Sequence, residues 1–164
     1  MRVALIYNPD NPNSAHYRRI SEAASAPLAI EVIDFPIHGL PDIDRAAASL
    51  ADRGNSGIFF LPDLTTNALR DDVVGLVGRR RVPAIYSYTF FVKLGGLAFY
   101  GPDRMEGFRG AASYVDRILR GAKPGDLPFQ QPTKYELMIN LKAAKGLGLE
   151  LSPAVLSLAD EVIE

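Results

Sequence analysis

Five short apolar runs separated by amphipathic stretches constrain this chain more than any other feature. Val3 to Tyr7, Ile30 to Phe35, Gly57 to Leu61, Pro83 to Tyr86 and Gly96 to Tyr100 each read as a strand bounded by turn residues. The first is continuous and stops at Asn8-Pro9-Asp10-Asn11-Pro12, the pattern of a strand buried on both faces. Between the runs, apolar residues recur at helical spacing: Tyr17, Ile20 and Ala24, then Ile43, Ala46 and Leu50, then Leu69, Val73 and Leu76. Parallel neighbours cannot be joined by hairpins, so strands alternating with helices over a hundred residues predict a doubly wound α/β domain around a five-stranded parallel sheet.

A long helix follows from Asp103 to Arg120, with Phe108, Ala112, Val115 and Leu119 on one stripe and Gly121 at its end. Gly121 to Pro128 reads as a connector. Beyond it come a strand from Tyr135 to Ile139, a short helix from Asn140 to Lys145, and a last helix started by Ser152-Pro153. The expected organisation is a solute-binding lobe over 1–120 and a strand-helix extension over 121–164 that packs on a second lobe or on a dimer partner.

At 164 residues, 48% of them hydrophobic and 23% charged, the chain has the composition of a globular domain able to bury a core. Its net charge of −1 supplies no basic surface for nucleic acid. Without cysteine there is no thiolate chemistry, and the two histidines, His16 and His38, lack the spacing of a metal pair. No metal or cofactor is expected. No segment reaches the length of a membrane span or has the make-up of an export signal.

Ligands of open parallel sheets bind outside the carboxyl ends of the strands. Read there, the chain offers Asn8, Asn11 and Ser14 after the first strand, Asp63, Thr65 and Thr66 after the third, and Tyr86 and Tyr88 around the end of the fourth. These side chains suit a small polar or zwitterionic solute. Asn8, Asn11 and Ser14 also have an ordinary role as turn and cap residues, and Asp63 with Thr65 and Thr66 as the cap of the next helix. The binding set expected from the sequence is Asn8, Ser14, Asp63, Thr65 and Tyr86. Asp103 is read as a helix cap, and Arg79-Arg80-Arg81 as a solvated helix end. Glycine-rich dinucleotide loop, P-loop lysine and nucleophile-elbow serine are all missing, so no catalytic residue is assigned. The alternative on the same scaffold is a cytoplasmic receiver-like or protein-interaction domain, a phospho-receiver having Asp63 as acceptor. Against it, only Asp10 lies near the first strand's end and no lysine follows the fifth.

Tyr114 to Pro128, Gln131 to Lys142 and Leu158 to Ile163 resemble the C-terminal part of ABC-transporter substrate-binding proteins of the tryptophan/tyrosine-binding type. Tyr7 to Pro12, Gly95-Gly96-Leu97 and Tyr100 to Asp103 are similar to that family as well. The resemblance implies a flavodoxin-like lobe of a type I periplasmic binding protein. Such proteins bind a small solute such as an amino acid between two lobes without transforming it and deliver it to an ABC permease. It implies a periplasmic or membrane-anchored setting. A chain complete as written would be cytoplasmic, since it begins where the second lobe of such a protein begins and carries no export signal. The resemblance also implies that residues after Gly121 return toward a first lobe. Leu137, Ile139 and Leu141 would then be exposed in this chain, which predicts a homodimer.

Overall fold

The computed structural model describes residues 1–51 and 53–164. In chain order its elements are β1 (Arg2–Tyr7), α1 (Ser14–Ser25), β2 (Glu31–Pro36), α2 (Leu40–Ala51), β3 (Ser56–Phe60), α3 (Leu64–Ala68), α4 (Arg70–Arg80), β4 (Ala84–Tyr86), α5 (Thr89–Lys93), β5 (Ala98–Pro102), α6 (Arg104–Leu119), β6 (Tyr135–Asn140), α7 (Leu141–Gly146), α8 (Pro153–Ser157) and β7 (Glu161–Ile163). The sheet order is β2-β1-β3-β4-β5-β6-β7, and the β1–β2, β1–β3, β3–β4, β4–β5 and β6–β7 pairs all run parallel. The doubly wound α/β class therefore holds, with seven strands in the sheet rather than five. The two additional strands come from the C-terminal segment, where Glu161-Val162-Ile163 is too short to announce itself as a strand.

The chain divides into two compact units, residues 1–100 with 137–164, and residues 101–136. The connector read from Gly121 lies inside the second unit, and the last strands and helices belong to the first.

Side-chain alternation along each strand builds the first unit. Ala4 and Ile6 of β1, Ile58 and Phe60 of β3, and Ala84 and Tyr86 of β4 point to one face. There they meet Ile43, Ala46, Ala47 and Leu50 of α2, Val73 and Val77 of α4, and Phe91 of α5, all buried. Leu5, Tyr7 and Leu61 point to the opposite face, where Tyr17 of α1 packs against them with Val32 and Phe59. Arg18 of α1 ties that helix to the sheet by pairing with Asp34 of β2 and lying over the Tyr7 ring, 5.0 Å from its centroid.

The single helix expected after the third strand is two, since Leu69 (φ −100°, ψ 18°) leaves helical geometry between α3 and α4. Helix α5 falls where the sequence reads as loop, because a five-residue helix is too short to display a period. Gly96 follows it: a Cβ there would lie 2.6 Å from Tyr86 Cε2 and 2.8 Å from the Phe91 carbonyl oxygen. Only glycine permits that approach.

In the C-terminal segment Ile139 is 3% exposed, and Leu137 and Leu141 are half-buried. Asn140 closes the strand: its N–H donates to the Leu97 carbonyl at 2.9 Å and its side chain caps α7 through Ala143 N. Of the three residues behind the homodimer expectation, Ile139 is thus buried against the chain's own fold and Leu137 and Leu141 are partly covered. Exposed apolar side chains lie on α6 and at Leu28, Leu64, Phe129 and Leu158.

The second unit is one long helix and a return segment. Asp103 caps α6, accepting from the N–H groups of Met105 (2.8 Å) and Glu106 (3.3 Å), and Gly121 ends it at φ 100°. Lys134 Nζ donates to Asp103 at 3.0 Å, and Glu106 accepts from Thr133 and from Lys134 N. The Lys134 ammonium hydrogen-bonded to Asp103 and the two cap amides hold that carboxyl below the usual carboxylate range, against the opposing effect of desolvation.

Candidate functional site

Parallel pairing brings the carboxyl ends of β1, β3 and β4 to one rim, and short polar hydrogen bonds then stitch the loops together. After β1, the Asn8 side chain turns the chain by accepting from Asp10 N at 2.8 Å, and its Nδ2 reaches across to Thr65 Oγ1 at 3.0 Å. Asn11 makes the second bridge, donating to the Pro62 carbonyl and to Asp63 Oδ2, both at 3.2 Å. After β3, Asp63 Oδ1 accepts from Thr65 N at 2.7 Å and so caps α3, while Thr66 Oγ1 donates to the Asp63 carbonyl at 3.1 Å. After β4, Ser87 Oγ donates to the Phe60 carbonyl at 2.7 Å and clips β4 to β3.

These bridges frame a cleft of about 510 Å³ whose wall includes Asn8, Asn11, Asp63, Leu64, Thr65 and Tyr88, with Tyr17 of α1 alongside. Asp63 is 6% exposed and forms no ion pair among the described residues. Burying a carboxylate costs several kcal/mol unless it is hydrogen-bonded or paired, so its two hydrogen bonds hold it in place while its charge stays unmatched. Leu64 stands beside it at 84% exposure, an apolar lip on the cleft. Tyr88 stacks on Phe90 (5.3 Å, 12°), and Arg70 lies over the Phe90 ring.

Of the five residues selected from the sequence, Asn8, Asp63 and Thr65 come together in the cleft wall. Ser14 does not line it. Its buried hydroxyl donates to the Asn8 carbonyl at 2.7 Å and holds the β1 turn from behind. Tyr86 does not reach the rim either. It is 1% exposed, stacked between Phe60 (5.0 Å, 5°) and Phe91 (4.9 Å, 15°), and desolvation pushes its phenol pKa up. The physical reason is parity: Tyr86 shares the inward face with Ala84, whereas Tyr88, the N-cap residue of α5, is beyond the strand. Asn11, offered by the sequence beside Asn8 but outside the expected binding set, contacts the Asp63 carboxylate. The signal that could have found it is its position three residues past Asn8, where a turn folds the side chain back over the neighbouring loop.

A family model described as ABC transporter substrate binding protein matches residues 1–163. Among solved structures, a conserved domain protein from Vibrio cholerae aligns with 98% of this chain and 54% of its own, at 25% identity and a TM-score of 0.84. An ABC domain from Streptococcus pneumoniae in complex with L-Trp aligns over 99% of this chain and 56% of its own, at 24% identity and a TM-score of 0.84. A ligand-free, open substrate-binding protein with adhesive properties from Clostridium difficile aligns over 99% and 54%, at 17% identity and a TM-score of 0.74. The chain thus spans about half the length of the solved proteins it matches. No curated protein matches the sequence. Among the described residues, no helix is long and apolar enough to cross a membrane.

Proposed function

The chain belongs to the ABC transporter substrate-binding protein family, and on that premise we propose that the cleft at the ends of β1, β3 and β4 holds a small organic solute without transforming it. The observation that carries this reading is the Asp63 carboxylate, buried, oriented by Asn11 and Thr65, and without an ion pair among the described residues. A solute ammonium supplies the missing charge, and a charge-assisted hydrogen bond in a partly desolvated site is the strongest single contact such a cleft can make. Tyr17 and Tyr88 offer faces to a flat apolar body. An amino acid with an aromatic side chain satisfies both, and the L-Trp held by the Streptococcus pneumoniae domain of the same fold supports that choice. In the setting of an ABC importer, this lobe closes on its solute against a second lobe and the pair docks on a permease outside the cytoplasm.

Thermal-shift titration against amino acids and nucleobases tests the reading, since a ligand that binds only the native state raises the melting temperature. The expected result is a concentration-dependent rise with L-tryptophan or another aromatic amino acid. Tyr88→Ala should abolish the rise and Tyr86→Phe should leave it. A chain that responds to none of these and instead becomes labelled at Asp63 by acetyl phosphate is a receiver-like domain, and the solute reading is then wrong.

A further inference from the structure

A second cavity, of about 170 Å³, lies within the first unit at the amino ends of β4 and β5, between the carboxyl ends of α4 and α7. Val74, Val77, Val82, Ala84, Gly96 and Tyr86 form its buried wall, and Gly78, Arg81, Gly95 and Gly146 are exposed around its mouth. The solute cleft is at the other end of the sheet, where the strands present their carboxyl ends. A second lobe that closes on that rim therefore does not meet this cavity, whose walls come from residues 1–100 and 137–164 alone. The sequence leaves the space unfilled: a Cβ at Gly78 or Gly146 would meet nothing within 4 Å.

Tyr86 gives the cavity its chemistry. The residue is 1% exposed, and Phe60 and Phe91 stack on its two faces and fix the ring plane. Its hydroxyl is the one side-chain hydrogen-bonding group of the buried wall, and it forms no hydrogen bond among the described residues. Desolvation alone acts on it, with no neighbouring charge or donor to offset the burial. Buried hydroxyls ordinarily have a partner, because leaving one unmatched forfeits its hydration without return. We propose that this cavity binds a small neutral organic molecule with an apolar ring or branched alkyl body and one hydroxyl group, the body lying against Val74, Val77 and Val82 and the hydroxyl bonded to Tyr86. The volume suits such a guest, since an apolar cavity of about 150 Å³ holds benzene. The buried wall holds no counter-ion, so a charged group carried to its floor would be desolvated unpaired, at a cost one hydrogen bond does not offset. This inference is independent of the solute reading.

Methyl NMR of the 164-residue chain during titration with phenol tests it. The Val74, Val77 and Val82 methyl signals should shift saturably, with half-saturation in the millimolar range or below, the scale for a guest of this size, while the Leu64 methyls at the rim stay still. Tyr86→Phe should weaken phenol by about 2- to 12-fold, the worth of one net hydrogen bond, and leave toluene, the same shape without the hydroxyl, unchanged. The toluene titration also shows that the variant has kept its fold, so a selective loss of phenol cannot come from unfolding. No saturable shift below about 10 mM phenol overturns the proposal. So does a response at Leu64 in place of the valines, or phenol binding that Tyr86→Phe leaves unaltered.

Discussion

Asp63 caps α3 and, under the proposed reading, also binds solute; a pair of substitutions separates the two roles. Asn and Asp are equivalent as helix N-caps, so Asp63→Asn keeps the bond from Thr65 N at 2.7 Å. What it forfeits in the fold is the Asn11 bond at 3.2 Å, since two amide donors then face each other, at about 0.5–1.5 kcal/mol. Asp63→Ala loses that bond and the cap together, about 1–3 kcal/mol in all. Affinity should order the variants differently. A charge-assisted hydrogen bond is worth about 1.5–3 kcal/mol, so removing the charge alone should weaken an ammonium-bearing solute by about 10- to 150-fold. The Asn variant should therefore stand near the parent in stability and near the Ala variant in binding. Because the chain contains no tryptophan, the fluorescence of added L-tryptophan reports binding directly, with urea unfolding as the parallel measure of stability. An Asn variant that binds as tightly as the parent would show that the carboxylate serves only to cap α3.

Two further outcomes follow from geometry away from the cleft. Gly96→Ala places a methyl group 2.6 Å from the Tyr86 ring and 2.8 Å from backbone at Phe91, and should cost about 2–3 kcal/mol, read as a lower urea midpoint at unchanged slope; an unshifted midpoint refutes the packing account of that turn. Asp103 has a depressed carboxyl pKa, so it adds stability above the ordinary carboxylate value of about 4 and loses it as pH falls through the lower folded value. Lys134→Gln should move the Asp103 titration, followed by carboxyl NMR, to higher pH, and an unmoved titration would show that the cap amides alone set it.

The sheet was legible because buried parallel strands are written as apolar runs, and the five runs of the sequence are β1 to β5 at nearly their observed places. Elements shorter than one period were not: Thr89 to Lys93 and Glu161 to Ile163 are long enough to form structure but too short to show a pattern. The rim was legible through the rule that ligands meet strand carboxyl ends, which selected Asn8, Asp63 and Thr65. The rule does not supply parity. Ala84-Ile85-Tyr86 is apolar throughout, and nothing local says which alternate residues face α4; pairing with Ile58 and Phe59 decides it, and that pairing is non-local. Tyr86 therefore looked like a rim residue until the neighbouring strand fixed its direction.

The same network limits what the rim can recognise. The Asn8 oxygen is taken by Asp10 N and its amide by Thr65, the Ser14 hydroxyl is donated to the Asn8 carbonyl, and each Asp63 oxygen already accepts one donor. Polar side chains at strand ends thus spend much of their hydrogen-bonding capacity on holding three loops in register, as loops carrying buried backbone must. A charge cannot be spent in that way: neutral donors orient the Asp63 carboxylate and leave its full negative charge in place. Under the proposed reading, discrimination at this cleft rests on the buried Asp63 carboxylate, with the exposed Asp10 carboxylate also in the wall, and on two tyrosine faces rather than on a wide set of hydroxyl and amide contacts. On that reading, a rim so well satisfied within itself would still favour an ammonium-bearing, flat solute over a neutral sugar.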